Sequence, residues 1–329
     1  MAVLVTGGAG YIGSHMVWRL IDGGEKVVVL DNLITGFEWA ISPEAKFVRG
    51  DIGDQEFVEN LIKSNEIDAI IHFAGSIVVP ESVSNPLKYY ANNTANSRNL
   101  IEAAVNCGVQ SMIFSSTAAV YGHPEVVPVS ENATLNPLSP YGTSKLMTEL
   151  MLRDTAAAHE FNYAAIRYFN VAGADPAGRT GQSTANATHL IKVACQTALG
   201  QRGQMHVFGT DFGTRDGTGI RDYIHVTDLV DAHALALDQL RASPQSFIVN
   251  CGYGRGYSVL EVIDAVKQVS GVDFKVEKGP RRDGDSPEVV AKADRIKSLL
   301  GWAPKYDDLT QIVDHALNWE RSLPKRNQS

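Results

Sequence analysis

Tyr141 and Lys145 lie four residues apart in the stretch Ser139-Pro140-Tyr141-Gly142-Thr143-Ser144-Lys145, and a phenol beside an ammonium can serve as a general base. Ser139 suits an N-cap and Pro140 the first helical position, so the spacing predicts a helix that opens here with both side chains on one face. A free phenol has a pKa of about 10, so bringing it near neutrality costs about 4 kcal/mol. A neighbouring ammonium supplies part of that, and the positive end of the helix a little more. Tyr-x-x-x-Lys also arises by chance on surface helices. The pair acquires a task only if the chain builds a cofactor site.

The elements needed to position such a site are present in the first half. Apolar runs at Ala2–Thr6, Lys26–Leu30, Lys46–Arg49, Ala69–Phe73, Ser111–Ser116 and Asn162–Arg167 read as strands. Helix-like segments near 11–23, 54–64, 86–107 and 140–160 separate them. This alternation implies a parallel sheet covered on both faces by helices, with ligands beyond the carboxyl ends of its strands.

The strand ends carry the expected residues. Thr6-Gly7-Gly8-Ala9-Gly10-Tyr11-Ile12-Gly13 follows the first strand and opens a helix. Glycines at 7, 10 and 13 permit a tight turn, close approach to a pyrophosphate and close helix–sheet packing. Asp31 ends the second strand, eighteen residues after Gly13. A carboxylate there accepts from both adenosine-ribose hydroxyls and repels a 2′-phosphate, which favours NAD over NADP. Asp51, after the third strand, is placed to accept from the adenine amino group. Phe73-Ala74-Gly75 after the fourth lets a cofactor lie against the backbone. Asn92 is open to two readings, a cofactor contact or a structural amide.

The whole-chain numbers exclude other classes. At 329 residues with 44% hydrophobic and 20% charged residues, the chain can bury one large domain and a smaller one. A net charge of -8 argues against nucleic acid or an anionic membrane as the main partner. Cys107, Cys195 and Cys251 are scattered, which fits a reducing compartment, and the nine histidines show no ligand spacing, so no metal is expected. No run approaches a membrane span, and Ala2–Thr6 already reads as a buried strand, so no leader is expected and the cytoplasm is the expected location.

The motifs together resemble the extended short-chain dehydrogenase/reductase family and, within it, the group of UDP-glucose 4-epimerases. They are Gly7-x-x-Gly10-x-x-Gly13, Asp31-Asn32-Leu33, His72-Phe73-Ala74-Gly75, Ser115–Gly122, Tyr141-x-x-x-Lys145, Arg167–Gly173 and Gly219–Val226, and the likeness covers nearly the whole chain. It implies a doubly wound parallel Rossmann sheet with a smaller, sequence-discontinuous α/β substrate domain. The NAD domain is expected at 1–171 plus 223–251, the nucleotide-sugar domain at 172–222 plus 252–305, and a C-terminal helix and tail at 306–329, frayed from Pro324.

The same resemblance implies the roles. Tyr141 is the base for the sugar C4 hydroxyl, Lys145 binds the nicotinamide ribose and, with the positive nicotinamide ring, holds Tyr141 partly ionised, and Thr117 bonds the C4 oxygen. NAD is held by the glycine loop with Tyr11 and Ile12, by Asp31, Asn32, Asp51, Ile52, Phe73, Ala74, Gly75 and Asn92, and by Phe169 at the nicotinamide end. UDP-galactose or UDP-glucose is held by Asn170, His189, Phe208, Arg221, Arg282 and Asp285. Dehydratases of the family carry an acid/base pair directly after the hydroxyl residue. Ala118 and Ala119 stand there in this chain and can supply neither. Two positions depart from well-known relatives: Ile77 replaces a lysine, and Val289 replaces a tyrosine that narrows the sugar pocket. The second suggests room for an N-acetylhexosamine. A homodimer through the helices near 86–107 and 140–160 is also implied.

Overall fold

The computed structural model describes residues 1–185, 187–282 and 284–326. Its centre is a parallel sheet of seven strands: β1 (Ala2–Thr6), β2 (Val27–Asp31), β3 (Lys46–Arg49), β4 (Ile67–His72), β5 (Ser111–Thr117), β6 (Asn162–Tyr168) and, after a long excursion, β10 (Phe247–Cys251). Their spatial order is β10-β6-β5-β4-β1-β2-β3. The strand order reverses between β1 and β4, which is where a doubly wound sheet opens a crevice at its carboxyl edge.

Alternation along β1 gives the sheet a core on each face. Val3 and Val5 face Met16 and Val17 of α1 (Tyr11–Asp22) and Leu229 of α8 (Val226–Ala242). Ala2 and Leu4 face the other way, to Val58 and Leu61 of α2 (Gln55–Ser64), Leu100 of α5 (Asn96–Asn106) and Leu152 of α6 (Pro140–Ala158). Burying one such Val or Leu side chain contributes about 1.5–3 kcal/mol, so a one-residue slip that turned these side chains around would be costly.

Two short helices, α3 (Val79–Ser84) and α4 (Pro86–Tyr89), lead into a π-helical stretch at Tyr90–Ala95 and then α5. The segment expected as one helix at 86–107 is therefore interrupted. The π turn brings Asn93, almost fully buried, against Ser76: its Oδ1 accepts from Ser76 N at 2.7 Å and its Nδ2 donates to Ser76 O at 2.9 Å.

The remaining strands build smaller sheets. β7 (Asn170–Ala172) pairs with β9 (Ile220–His225), which also pairs with β11 (Gly256–Ser258) and β13 (Glu288–Val289). β8 (Met205–Phe208) pairs with β12 (Val276–Gly279). β8 and α7 (Leu190–Ala198) lie between β7 and β9. The expected divisions at 171/172 and 222/223 fall inside β7 and β9. A capping box of Ser258 and Glu261 opens α9 (Val259–Ser270), followed by α10 (Asp294–Leu300). α11 (Leu309–Arg326) runs through Pro324, so fraying does not begin there, and 327–329 lie outside the described residues.

Candidate active site

The glycine loop is shaped by close approaches. Gly7 has φ +71, and a Cβ on it would stand 2.6 Å from Ala74 N; a Cβ on Gly13 would stand 2.1 Å from Gly7 O. No L side chain fits either place. Gly10 is the N-cap of α1 and brings no side-chain cap, which leaves the first N–H groups, around Tyr11 and Ile12, available to an anion. Asp31 closes the loop from β2, accepting from Ala9 N at 2.9 Å and from Leu33 N at 2.8 Å. Asp51 accepts from Asn32 Nδ2 at 3.0 Å and from Gly53 N at 2.8 Å, while Ile52 is buried in the core beneath it.

Three expected contacts have other partners in the protein alone. Tyr11 donates its hydroxyl to Gly173 O at 2.7 Å, tying the glycine loop to the segment after β7. The Phe73 ring lies 5.0 Å from that of His233. Asn92 donates to Ser76 Oγ at 2.9 Å. Beside it, Asn93 also donates to Ser144 Oγ at 3.1 Å and so joins the Gly75–Ser76 turn to α6. Asn93 is not singled out by the sequence. Two adjacent asparagines look alike until the π turn decides which one is buried.

The α6 helix starts as expected, with Gly142 N donating to Ser139 Oγ at 3.2 Å and Pro140 in its first turn. Its inward stripe is Tyr141, Lys145, Thr148, Glu149 and Leu152, the spacing of one helical face. Thr117, at the end of β5, is close enough to the Tyr141 phenol to favour its ionised form, and its oxygen accepts from Ala119 N at 3.1 Å. Lys145 is buried, donates to Ser115 O at 3.0 Å and lies 4.9 Å from the centre of the Phe114 ring.

Burial raises the Tyr141 phenol above its ordinary value, the Tyr168 phenol adds to this, and only Thr117 acts the other way. Lys145 itself is lowered by burial to about 8, against the pull of Glu149 one turn below. Lys145 alone does not offset this burial of the phenol. Desolvation wins in the protein alone, and a further positive charge is needed.

Behind the pair lies a buried ionic network that the sequence did not single out. Arg167 forks onto Glu149, with Nη2 2.6 Å from Oε2 and Nε 3.0 Å from Oε1. Its Nη1 donates to Tyr121 OH at 3.0 Å, and that hydroxyl donates to Asn250 Oδ1 at 2.6 Å. Glu149 stands four residues after Lys145, so its place on the catalytic face was legible; its partner on β6 was not.

Of the six residues expected at the nucleotide sugar, four meet one another, and Asn170 and His189 lie at a separate cavity. Phe169 is buried with Ala118, Val120 and Tyr121, and Val289 packs against this cluster. Asn170 and His189 line a small cavity, where Gln182 Nε2 donates to His189 Nδ1 at 2.7 Å. Asp285 lies between two cations, 3.9 Å from Arg221 Nη2 and 3.7 Å from Arg282 Nε. The Arg282 guanidinium covers the Phe208 ring at 4.5 Å from its centre. The structure thus brings these four together at one end and Tyr141, Lys145 and Thr117 at the other.

The residues fit NAD. The glycine turn has no room for side chains, α1 opens uncapped toward the crevice, and Asp31 stands at the ribose end. Lys145 uses one of its three N–H donors on Ser115 O and retains others.

Comparison with known proteins agrees with the geometry. The model of the NAD dependent epimerase/dehydratase family matches residues 3–252. A UDP-glucose 4-epimerase of Azospirillum brasilense is 57% identical over 321 residues, covering 98% of this chain and 92% of that protein. The crystal structure of UDP-glucose 4-epimerase from Stenotrophomonas maltophila with bound NAD and formylated UDP-arabinopyranose is similar at a TM-score of 0.95 and 38% identity, covering 99% of each chain. The UDP-Glc/GlcNAc 4-epimerase of Campylobacter jejuni is similar at 0.86 and 49%, covering 98% of this chain and 99% of the other.

Proposed function

From the premise that the chain belongs to the NAD-dependent epimerase/dehydratase family, we propose that it interconverts UDP-galactose and UDP-glucose at Tyr141, Thr117 and Lys145. The chain is an NAD-dependent enzyme with a Rossmann-like parallel sheet. The observation that carries the assignment of residues is the placing of Tyr141 and Lys145 on the buried face of α6, with Thr117 beside the Tyr141 phenol.

Tyr141 takes the proton from the sugar C4 hydroxyl, and Thr117 orients that oxygen. NAD, when bound, accepts the hydride from C4 and later returns it to the opposite face, and its positive ring supplies the charge that Tyr141 lacks in the protein alone. Lys145 holds the nicotinamide ribose with its remaining donors and keeps its ammonium near the phenol. The 4-keto sugar turns in the crevice, and Tyr141 gives the proton back to O4. Asp31 and the glycine loop hold the adenosine end. Arg221, Arg282 and Asp285 hold the pyrophosphate and uridine ribose, with Phe208 beside the base and Asn170 and His189 nearer the sugar. Ala118 and Ala119 leave no group to move a C5 proton, so water is not lost.

The test is an assay of UDP-galactose conversion without added NAD. Conversion with no net NADH agrees with the reading, and NADH accumulating in proportion to substrate refutes it. A second reading rests on Val289, a small side chain against the Phe169 cluster: UDP-N-acetylhexosamines are also substrates. Failure to turn over both UDP-GlcNAc and UDP-GalNAc would remove it.

The nucleotide-sugar side is proposed as a separate domain, 172–222 plus 252–305, against 1–171 plus 223–251. A homodimer is proposed through α4, α5 and α6, supported by exposed Leu87, Met147 and Leu150; a monomer in sedimentation at working concentration would contradict it. No helix among the described residues is long and apolar enough to cross a membrane. The free thiols of Cys107, Cys195 and Cys251 support a cytoplasmic location.

A further inference from the structure

The loop at 280–287, between β12 and β13, carries Arg282 and Asp285. Main-chain bonds fix both its ends: Gly209 N donates to Gly279 O at 3.1 Å, and Ile220 N donates to Pro287 O at 2.8 Å. Between these ends Arg282 is exposed and Asp285 half-buried. Ser286, next to Asp285, is 6% exposed and is the one buried side chain among the described residues of the loop. Its Oγ lies 3.1 Å from Gly122 O and 2.5 Å from His123 Nδ1. A serine hydroxyl has a single proton. With that proton donated to Gly122 O, the serine oxygen accepts from His123 Nδ1–H, and both bonds form together.

Gly122 and His123 belong to the catalytic side of the crevice. They come directly after the 3-10 turn Ala118–Tyr121, whose N-cap is Thr117. The backbone at Gly122 has φ +65, and a Cβ there would stand 2.0 Å from Asn136 O, so this anchor point is fixed by packing. Beyond the loop, a main-chain bridge runs alongside: Val129 N donates to Val290 O at 2.8 Å and Lys292 N to Val129 O at 2.8 Å. The bridge secures the chain after β13. It does not reach the residues between Gly279 and Pro287.

We propose that His123 and Ser286 are positioning residues that lock the Arg282–Asp285 loop to the end of the catalytic strand. They set the span between the groups that grip the nucleotide and the Thr117–Tyr141 pair that works on the sugar. Neither touches the reacting atoms. Their loss lets the loop sample positions in which Arg282 and Asp285 miss the nucleotide, so binding weakens while the chemistry of bound substrate is retained. The inference rests on the reading of Arg282 and Asp285 as nucleotide-sugar ligands.

The experiment compares Ser286→Ala, His123→Leu and His123→Asn with the wild-type holoenzyme. His123→Leu should raise KM for UDP-galactose about 3–10-fold, the effect of one lost hydrogen bond, and Ser286→Ala, which loses two, at least as much, with kcat within about twofold in both. The Kd of UDP, by titration calorimetry, should weaken by the same factor, and the content of bound NAD should not change. His123→Asn, whose amide can donate to the serine oxygen, should recover most of the loss. Wild-type KM and UDP affinity in Ser286→Ala and His123→Leu would overturn the proposal, as would a fall in kcat at unchanged KM. His123 is exposed, so His123→Leu carries the test if Ser286→Ala fails to fold. A wild-type protein that binds UDP but does not epimerise UDP-galactose would refute the assigned reaction alone, because the calorimetric comparison tests the lock without turnover.

Discussion

The two sides of the crevice are built by different means. On the cofactor side the backbone makes the shape: Gly7 and Gly13 meet carbonyls and amides closer than any Cβ allows, and Tyr141 and Lys145 are 7% and 3% exposed. On the nucleotide side, long side chains make it, with the Arg282 side chain 53% exposed and Phe208 at 37%. A site made of backbone and buried groups is pre-organised and intolerant of change, whereas one made of exposed side chains trades affinity without loss of fold. The first governs whether chemistry occurs, and the second how tightly and which sugar nucleotide is held.

Substitutions on the two sides should therefore separate kcat from KM. The largest effect is expected for Tyr141→Phe, with kcat lower by about 10²–10⁴-fold while NAD remains bound and the melting temperature changes little; near wild-type turnover would show that another group is the base. Gly13→Ala comes next. Its methyl has no space beside Gly7 O, so the turn must shift at a cost of about 1–3 kcal/mol, read as a lower melting temperature and lost dinucleotide on purification. The smallest is Arg282→Ala, which should raise KM about tenfold through loss of a charge-assisted contact and leave kcat and stability near wild type. A kcat loss as large as that of Tyr141→Phe would abolish the proposed contrast.

Legibility in the sequence divides along the same line. The glycine turn, Asp31 and the start of α6 were legible because each depends on neighbours within a few positions. β8 and β12 were not: Met205 pairs with Val276, and nothing local to either strand announces its partner. The Tyr141–Lys145 pair was placed by its spacing, but the burial that raises the Tyr141 phenol was not legible. Charge can be counted along a chain, and desolvation depends on what the fold packs around it. Ser286 and His123 are 163 positions apart, and no periodicity links them.

The π turn at Tyr90–Ala95 has one more consequence. A π turn is a single-residue insertion absorbed within a helix, so it widens one turn while the helical segments on either side keep their phase. Deleting one residue there would restore regular winding and take away the widened turn that carries Asn93 inward. Asn93 would leave Ser76 and Ser144, and the wall beside Gly75 would lose its fastening to α6. In this stretch the residue count constrains the chain as strictly as residue identity does.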